Sequence, residues 1–126
     1  MKMLVGVDGS ECGHKAVGHV IRHAAMFGAQ PSITLMHVGT VLSDRAARAV
    51  GEEIVNGFVA HEHEQALRDA RAALAAAGLA FDEVERGGYD LVVMGSHGLG
   101  AFKGLLLGSV VTKVLAACRT PVLIVR

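Results

Sequence analysis

The chain has 126 residues, of which 52% are hydrophobic and 19% charged, with two prolines and a formal net charge of zero. That length and apolar content suit a single domain, residues 1–126, with a buried core, and they exclude a disordered or fibrous chain. Balanced charge gives no basis for attraction to nucleic acid or to an anionic membrane surface.

In chain order, Met3-Leu4-Val5-Gly6-Val7 is a short unbroken apolar run, as expected of a strand buried on both faces, and Asp8-Gly9-Ser10 reads as a turn. Ala16, Val17, Val20, Ile21, Ala24 and Ala25 form the apolar stripe of a helix that Gly28 stops. Ile33–Val38 reads as a second strand. A polar stretch from Ser43 to Arg48 then leads to a long helix, about Glu52 to Ala77. Ile54, Val55, Phe58, Val59, Ala66, Leu67, Ala70 and Leu74 are its apolar face. Tyr89–Met94 is a further strand, Gly108–Ala117 a last helix, and Pro121–Val125 a final strand. Strands alternating with helices specify an α/β domain built on a parallel sheet.

Phe81–Glu85 has strand-like alternation, yet only Arg86-Gly87-Gly88 separates it from the next strand. Parallel neighbours need a crossover of about a dozen residues or more. Either this segment is not a parallel strand of the sheet, or it pairs somewhere unusual.

No secretory signal is readable, because Asp8 and Glu11 interrupt the first apolar run, and no apolar stretch is long enough to span a bilayer. Cys12 and Cys118 fit no metal or redox spacing and are expected as reduced thiols. A cytoplasmic location follows. His19 and His23, four apart, and His61-x-His63 lack a third ligand at matching spacing, so they are expected on solvated helix faces and no metal site is assigned.

The chemistry concentrates in Gly95-x2-Gly98-x9-Gly108-Ser109. A buried strand ends at two glycines, and the chain re-enters a helix at Gly108-Ser109. A helix start presents unpartnered N–H groups and roughly half a positive charge, which phosphate oxygens satisfy. Gly108 removes bulk there, and Ser109 adds a hydroxyl, unless it merely caps its helix. His97 either contacts phosphate or points outward. There is no G-x-x-x-x-G-K-[ST] sequence and no G-x-G-x-x-G after the first strand, so a P-loop or dinucleotide fold is not expected. Asp8 is the acid nearest the expected pocket, in contact with ribose or metal-bound water, or capping its own turn. No catalytic residue is assigned.

Gly95-Ser96-His97-Gly98 through Gly108-Ser109, backed by Pro121–Val125, resembles the universal stress protein family and the G-x2-G-x9-G-[ST] pattern of its ATP-binding branch. Val5–Ser10 and the strand ending His37-Val38 resemble the same family. The resemblance implies a three-layer, Rossmann-like fold of the adenine nucleotide alpha hydrolase type, and ATP, with or without Mg²⁺, as ligand. It places Gly6, Val7 and Asp8 beside the adenosine moiety and the backbone of Val38 in the adenine wall. Met94, Gly95, Ser96, His97 and Gly98 border the ribose and phosphates, and Gly108, Ser109 and Val110 bind the phosphate chain. It also implies a homodimer paired through Val122–Val125. Members usually carry a further strand, turn and helix before the strand equivalent to Leu91–Met94, and these are largely missing here near residues 84–86. The expectation is therefore a sheet of about four core strands, or exchange of segment 79–89 between protomers. The functional expectation is a nucleotide-dependent regulatory or stress-response dimer, the alternatives being a nucleotide-free interaction module and a slow ATPase.

Overall fold

The computed structural model describes residues 1–37, 48–49, 51–83, 88–98 and 106–126, leaving aside the side chains at 52, 55, 58 and 59. Val38, and with it part of the expected adenine wall, lies outside the described residues, as do the side chains of Val55, Phe58 and Val59. Among the described residues nine elements follow in order. They are β1 (Lys2–Val7), α1 (Glu11–Arg22), a 3-10 turn (Ala24–Phe27), β2 (Ser32–His37), α2 (Glu52–Ala76), β3 (Phe81–Glu83), β4 (Leu91–Gly95), α3 (Ser109–Ala117) and β5 (Val122–Val125).

The strands form one sheet in the order β3-β2-β1-β4-β5, and every pairing is parallel. The expected α/β architecture is present, with one difference in count: the sheet has five strands rather than about four. Phe81–Glu83 is the fifth. It is a parallel strand of this sheet, but it pairs with β2, with Ile33 opposite Phe81 and Leu35 opposite Glu83. The minimum crossover length applies to a chain returning along a whole neighbouring strand. Here β3 has three residues, and Leu91 lies only two positions below the level of Glu83, through Val5 and Met3. The lateral gap is three strand spacings, roughly 14 Å. Eight peptide steps can reach about 27 Å.

Successive steps β1→β2→β3 run the same way across the sheet, so right-handed crossovers place α1 and α2 on one face. Their shared core confirms it. Met3, Val5, Val7, Ile33, Leu35 and Val93 meet Ala16, Val17 and Val20 of α1 and Leu67, Ala70 and Leu74 of α2. Each large side chain fully removed from water there contributes about 1.5–3 kcal/mol. The step β4→β5 runs the other way, which assigns α3 to the opposite face.

Local signals set the helix ends. Ser10 caps α1 by accepting from Gly13 N–H at 3.1 Å, and Gly28 leaves the following turn at φ 110°, a conformation that glycine tolerates. In α2 the described buried residues, Ala66, Leu67, Ala70 and Leu74, all lie in the C-terminal half. A 25-residue helix is about 37 Å long, against about 20 Å for a six-residue strand. The helix is therefore longer than the strands it crosses. Arg71, from the α2 half that packs on the sheet, fastens β3 by binding Glu83 through Nε and Nη2 and Glu64 through Nη1.

Candidate functional site

The order reverses between β1 and β4, since β1 leads to β2 on one side and β4 to β5 on the other. In open parallel sheets the crevice beyond the carboxyl ends of such strands is where ligands bind. Asp8 follows β1 there, and Ser96-His97-Gly98 follows β4.

One oxygen of Asp8 is held by a backbone amide, and the other is turned toward Gly98. Its Oδ1 accepts from Ser10 N–H at 2.9 Å. Its Oδ2 stands so close to Gly98 that a Cβ added there would lie 2.6 Å from it. Glycine at 98 is thus what lets the carboxylate meet the loop after β4. Ser10 joins the same two strand ends, since its hydroxyl donates to His97 O at 3.3 Å while capping α1. The sequence signal for Ser10, a serine three residues ahead of the amide it caps, is the ordinary N-cap pattern.

Gly95 has a different neighbour. A Cβ at 95 would come within 2.5 Å of the Cys12 carbonyl carbon and 2.6 Å of Cys12 Cβ and O. The first turn of α1 lies directly on the end of β4. Ser96 is buried, its hydroxyl 2.9 Å from His97 Nδ1 and 3.8 Å from Cys12 Sγ. Its backbone ties three elements together: Ser96 N–H donates to Val125 O, and Ser96 O accepts from Gly108 N–H, both at 2.8 Å. That second bond brings the start of α3 back to the end of β4. Gly108 is closely packed against the loop, since a Cβ there would be 3.4 Å from both His97 Cα and Ser96 O.

The N-cap of α3 is Gly108, not Ser109, and among the described residues no side chain caps the helix. No acidic side chain occupies its first turn. Such a helix start attracts an anion through its unpaired amides and the positive end of its dipole. Ser109 and Val110 are exposed in that first turn.

The other expected site residues divide by orientation. Gly6 pairs with Met36 and Met94 inside the sheet. The Val7 side chain belongs to the α1–α2 core, and Met94 is buried. Gly6, Val7 and Met94 thus lie within the sheet and its core, whereas Asp8, His97, Gly98, Gly108, Ser109 and Val110 follow the strand ends or start α3. One pair at this edge escaped the sequence reading. His37, ending β2, meets His63 of α2 edge to face, with ring centroids 5.2 Å apart. No periodic pattern marks such a pair. Burial, and then the neighbouring His63, hold the His37 pKa below the usual imidazole value, while Glu62 and Asp8 pull it the other way.

The histidines of α1 are partly exposed, as a helix face open to solvent requires, and they contact each other. His19 and His23 stack with centroids 4.2 Å apart, and His23 Nδ1 lies 2.9 Å from His19 O. Both cysteines are free thiols. Among the described residues, no helix is long and apolar enough to cross a membrane.

The chain matches the model of the universal stress protein family over residues 1–88 and 79–126. The two pieces overlap at 79–88, the stretch where family elements are missing from the sequence. It is 29% identical to universal stress protein YxiE of Bacillus subtilis over 147 residues, covering 99% of this chain and 98% of the relative. It is 28% identical to a universal stress protein of Mycolicibacterium smegmatis, covering 100% of this chain but 46% of that protein, so it spans about half of that relative's length. Among solved structures, hypothetical protein MJ0577 superposes with a TM-score of 0.77 at 26% identity, over 98% of this chain and 94% of that one. A universal stress protein in complex with cAMP superposes with a TM-score of 0.60 at 28% identity, over 100% and 97%.

Proposed function

Because this chain belongs to the universal stress protein family, we propose that it binds ATP in the crevice between β1 and β4 and acts as a nucleotide-dependent regulator in the stress response. One observation carries the reading. Asp8, Gly98 and the uncapped start of α3 converge at the switch point of the sheet, held by the bonds Ser10 Oγ to His97 O and Gly108 N–H to Ser96 O. In this reading the α3 amides of Ser109 and Val110 and the Ser109 hydroxyl take the phosphates, and Gly108 allows their approach. Asp8 faces the ribose, with Gly6, Val7 and Met94 beneath and Val38 beside the base. Gly95 and Ser96 hold the loop in place rather than touching ligand, and His97 lies alongside the phosphates.

Asp8 is the carboxylate at hand for Mg²⁺, which would draw its remaining ligands from phosphate oxygens and water. Nothing in this donor set activates a water strongly, so binding without rapid hydrolysis is the expected behaviour, with slow turnover the alternative. The dimer is read as pairing through β5, an edge strand whose four residues are only partly buried. A cytoplasmic location is part of the same proposal.

The relative in complex with cAMP supports a second ligand of the same chemistry. Titration with fluorescent ATP, competed with unlabelled ATP and with cAMP, ranks the two. Saturable ATP binding that Gly108→Val abolishes, with the dimer intact by light scattering, is the expected result. Absence of saturable binding at millimolar ATP would leave the nucleotide-free interaction module as the better reading. Phosphate release above background, lost in Asp8→Ala, would make the protein a slow ATPase.

A further inference from the structure

His37 and His63 come from different elements and meet at the edge of the sheet that holds the site. Charged neighbours reach the pair from each element packed around it. Asp8, after β1, and Glu62 of α2 act on His37. Glu64 of α2 and Glu83 of β3 act on His63, and Arg71 holds both of those carboxylates. His37 Nε2 is buried without a hydrogen-bond partner among the described residues. Among the described residues, a proton placed at that Nε2 therefore meets no waiting acceptor, and a second imidazole ring stands beside it. Neutral imidazoles pack well edge to face, whereas two imidazoliums at this distance repel.

We propose that the His37–His63 pair is a proton-operated latch on the nucleotide site. With the rings neutral it holds the end of β2 against α2, and protonation of the pair parts them and loosens the bound nucleotide. The proposal rests on the nucleotide reading above, because His37 precedes Val38 of the adenine wall and shares its sheet edge with Asp8. Folding disfavours the charged form of His37, so the unfolded chain binds that proton more readily. The stability that the contact supplies is complete above about pH 6.5, and it is lost as pH falls from there through the lowered folded pKa.

The test compares wild type with His63→Phe, which keeps a ring at the contact but cannot be protonated. ATP affinity of wild type should fall roughly tenfold more than that of the variant between pH 7.5 and 5.5. Titration of the ATP phosphates is common to both proteins and cancels in the comparison. Equal pH dependence in the two proteins, with ATP bound tightly at pH 7.5, overturns the latch and leaves the nucleotide reading standing. Amide protection, corrected for intrinsic exchange rates, reads the latch without ligand. Protection at residues 35–37 and 60–64 should drop at pH 5.5 in wild type and hold in the variant. Unchanged protection overturns the latch whatever ATP does. Absence of ATP binding at pH 7.5 overturns the nucleotide reading, and the clause that couples the latch to it.

Discussion

Gly95 and Gly98 belong to one motif, but different neighbours oppose them, so alanine at the two positions should fail in different ways. A Cβ at 95 would meet three atoms of Cys12, two of them backbone, at 2.5–2.6 Å. Backbone in the capped first turn of α1 cannot swing aside, so the helix must shift away from β4. Overpacking of this kind costs about 1–3 kcal/mol, with the upper half expected because the obstruction is main chain. For a domain of this length, 1 kcal/mol moves the melting temperature by about 4 °C. Gly95→Ala should therefore melt about 8–12 °C below wild type.

At 98 the obstruction is the tip of a side chain, Asp8 Oδ2 at 2.6 Å. Asp8 can rotate away by giving up its bond from Ser10 N–H, at about 1 kcal/mol and about 4 °C. That movement removes the carboxylate from the crevice. ATP affinity of Gly98→Ala should then fall roughly tenfold or more, the equivalent of one charge-assisted hydrogen bond. Calorimetric melting and ATP titration on both variants separate the two outcomes. If Gly95→Ala melts within about 2 °C of wild type yet loses ATP, the contact with Cys12 is not what requires glycine there, and the reasoning is refuted.

Ser10→Ala removes the cap of α1 together with the bond to His97 O, so denaturant unfolding should show a loss of about 1–2 kcal/mol, and ATP should bind more weakly. Arg71→Ala should release β3 from α2, seen as faster amide exchange at residues 81–83 with a smaller change in global melting than Gly95→Ala gives. Arg71 holds the Glu83 and Glu64 carboxyls below their ordinary pKa, so the stabilisation they share is present above about pH 4.5 and disappears as pH falls through the lowered values. The melting difference between wild type and Arg71→Ala should accordingly shrink as pH falls below about 4.5, and a difference that does not shrink would assign Arg71 a packing role instead.

Much of this was legible in the chain. Unbroken apolar runs such as Met3–Val7 and Leu91–Met94 identify strands buried on both faces, because flanking helices cover a parallel sheet from above and below. Gly108-Ser109 marks the start of α3 because helix starts and phosphate sites need the same unpaired amides. Features that depend on which elements become neighbours were not legible. Gly95 looks like a ligand glycine in sequence, yet it lies against a helix 83 positions earlier in the chain. The His37–His63 contact joins a strand end to the middle of a helix, and neither residue carries a periodic signal. The sequence leaves the placement of Phe81–Glu83 open between two alternatives for the same reason, since a crossover rule needs to know the partner strand, and β3 pairs with β2, away from β4.

That placement of β3 explains how a shortened chain can keep the proposed site. Each bond that shapes the crevice runs among β1, β4, β5 and the starts of α1 and α3: Ser10 to Asp8 and His97, Ser96 to Val125, and Gly108 to Ser96. The shortened connection joins β3 to the opposite, amino-terminal end of β4, where Asp90 N–H donates to Lys2 O at 2.7 Å. The carboxyl ends of β1 and β4 stay in register all the same, Gly6 opposite Met94. Affinity for nucleotide should then be set by the crevice, and global stability by how well β3 is fastened. Weakening β3 through Arg71 should lower stability while ATP affinity at pH 7.5 stays within about twofold of wild type, because Arg71 reaches the crevice only indirectly, through the carboxylates beside His63. A parallel loss of affinity would mean that β3 supports the site through β2 and the His37–His63 contact, and that the two halves of the sheet edge work as one unit.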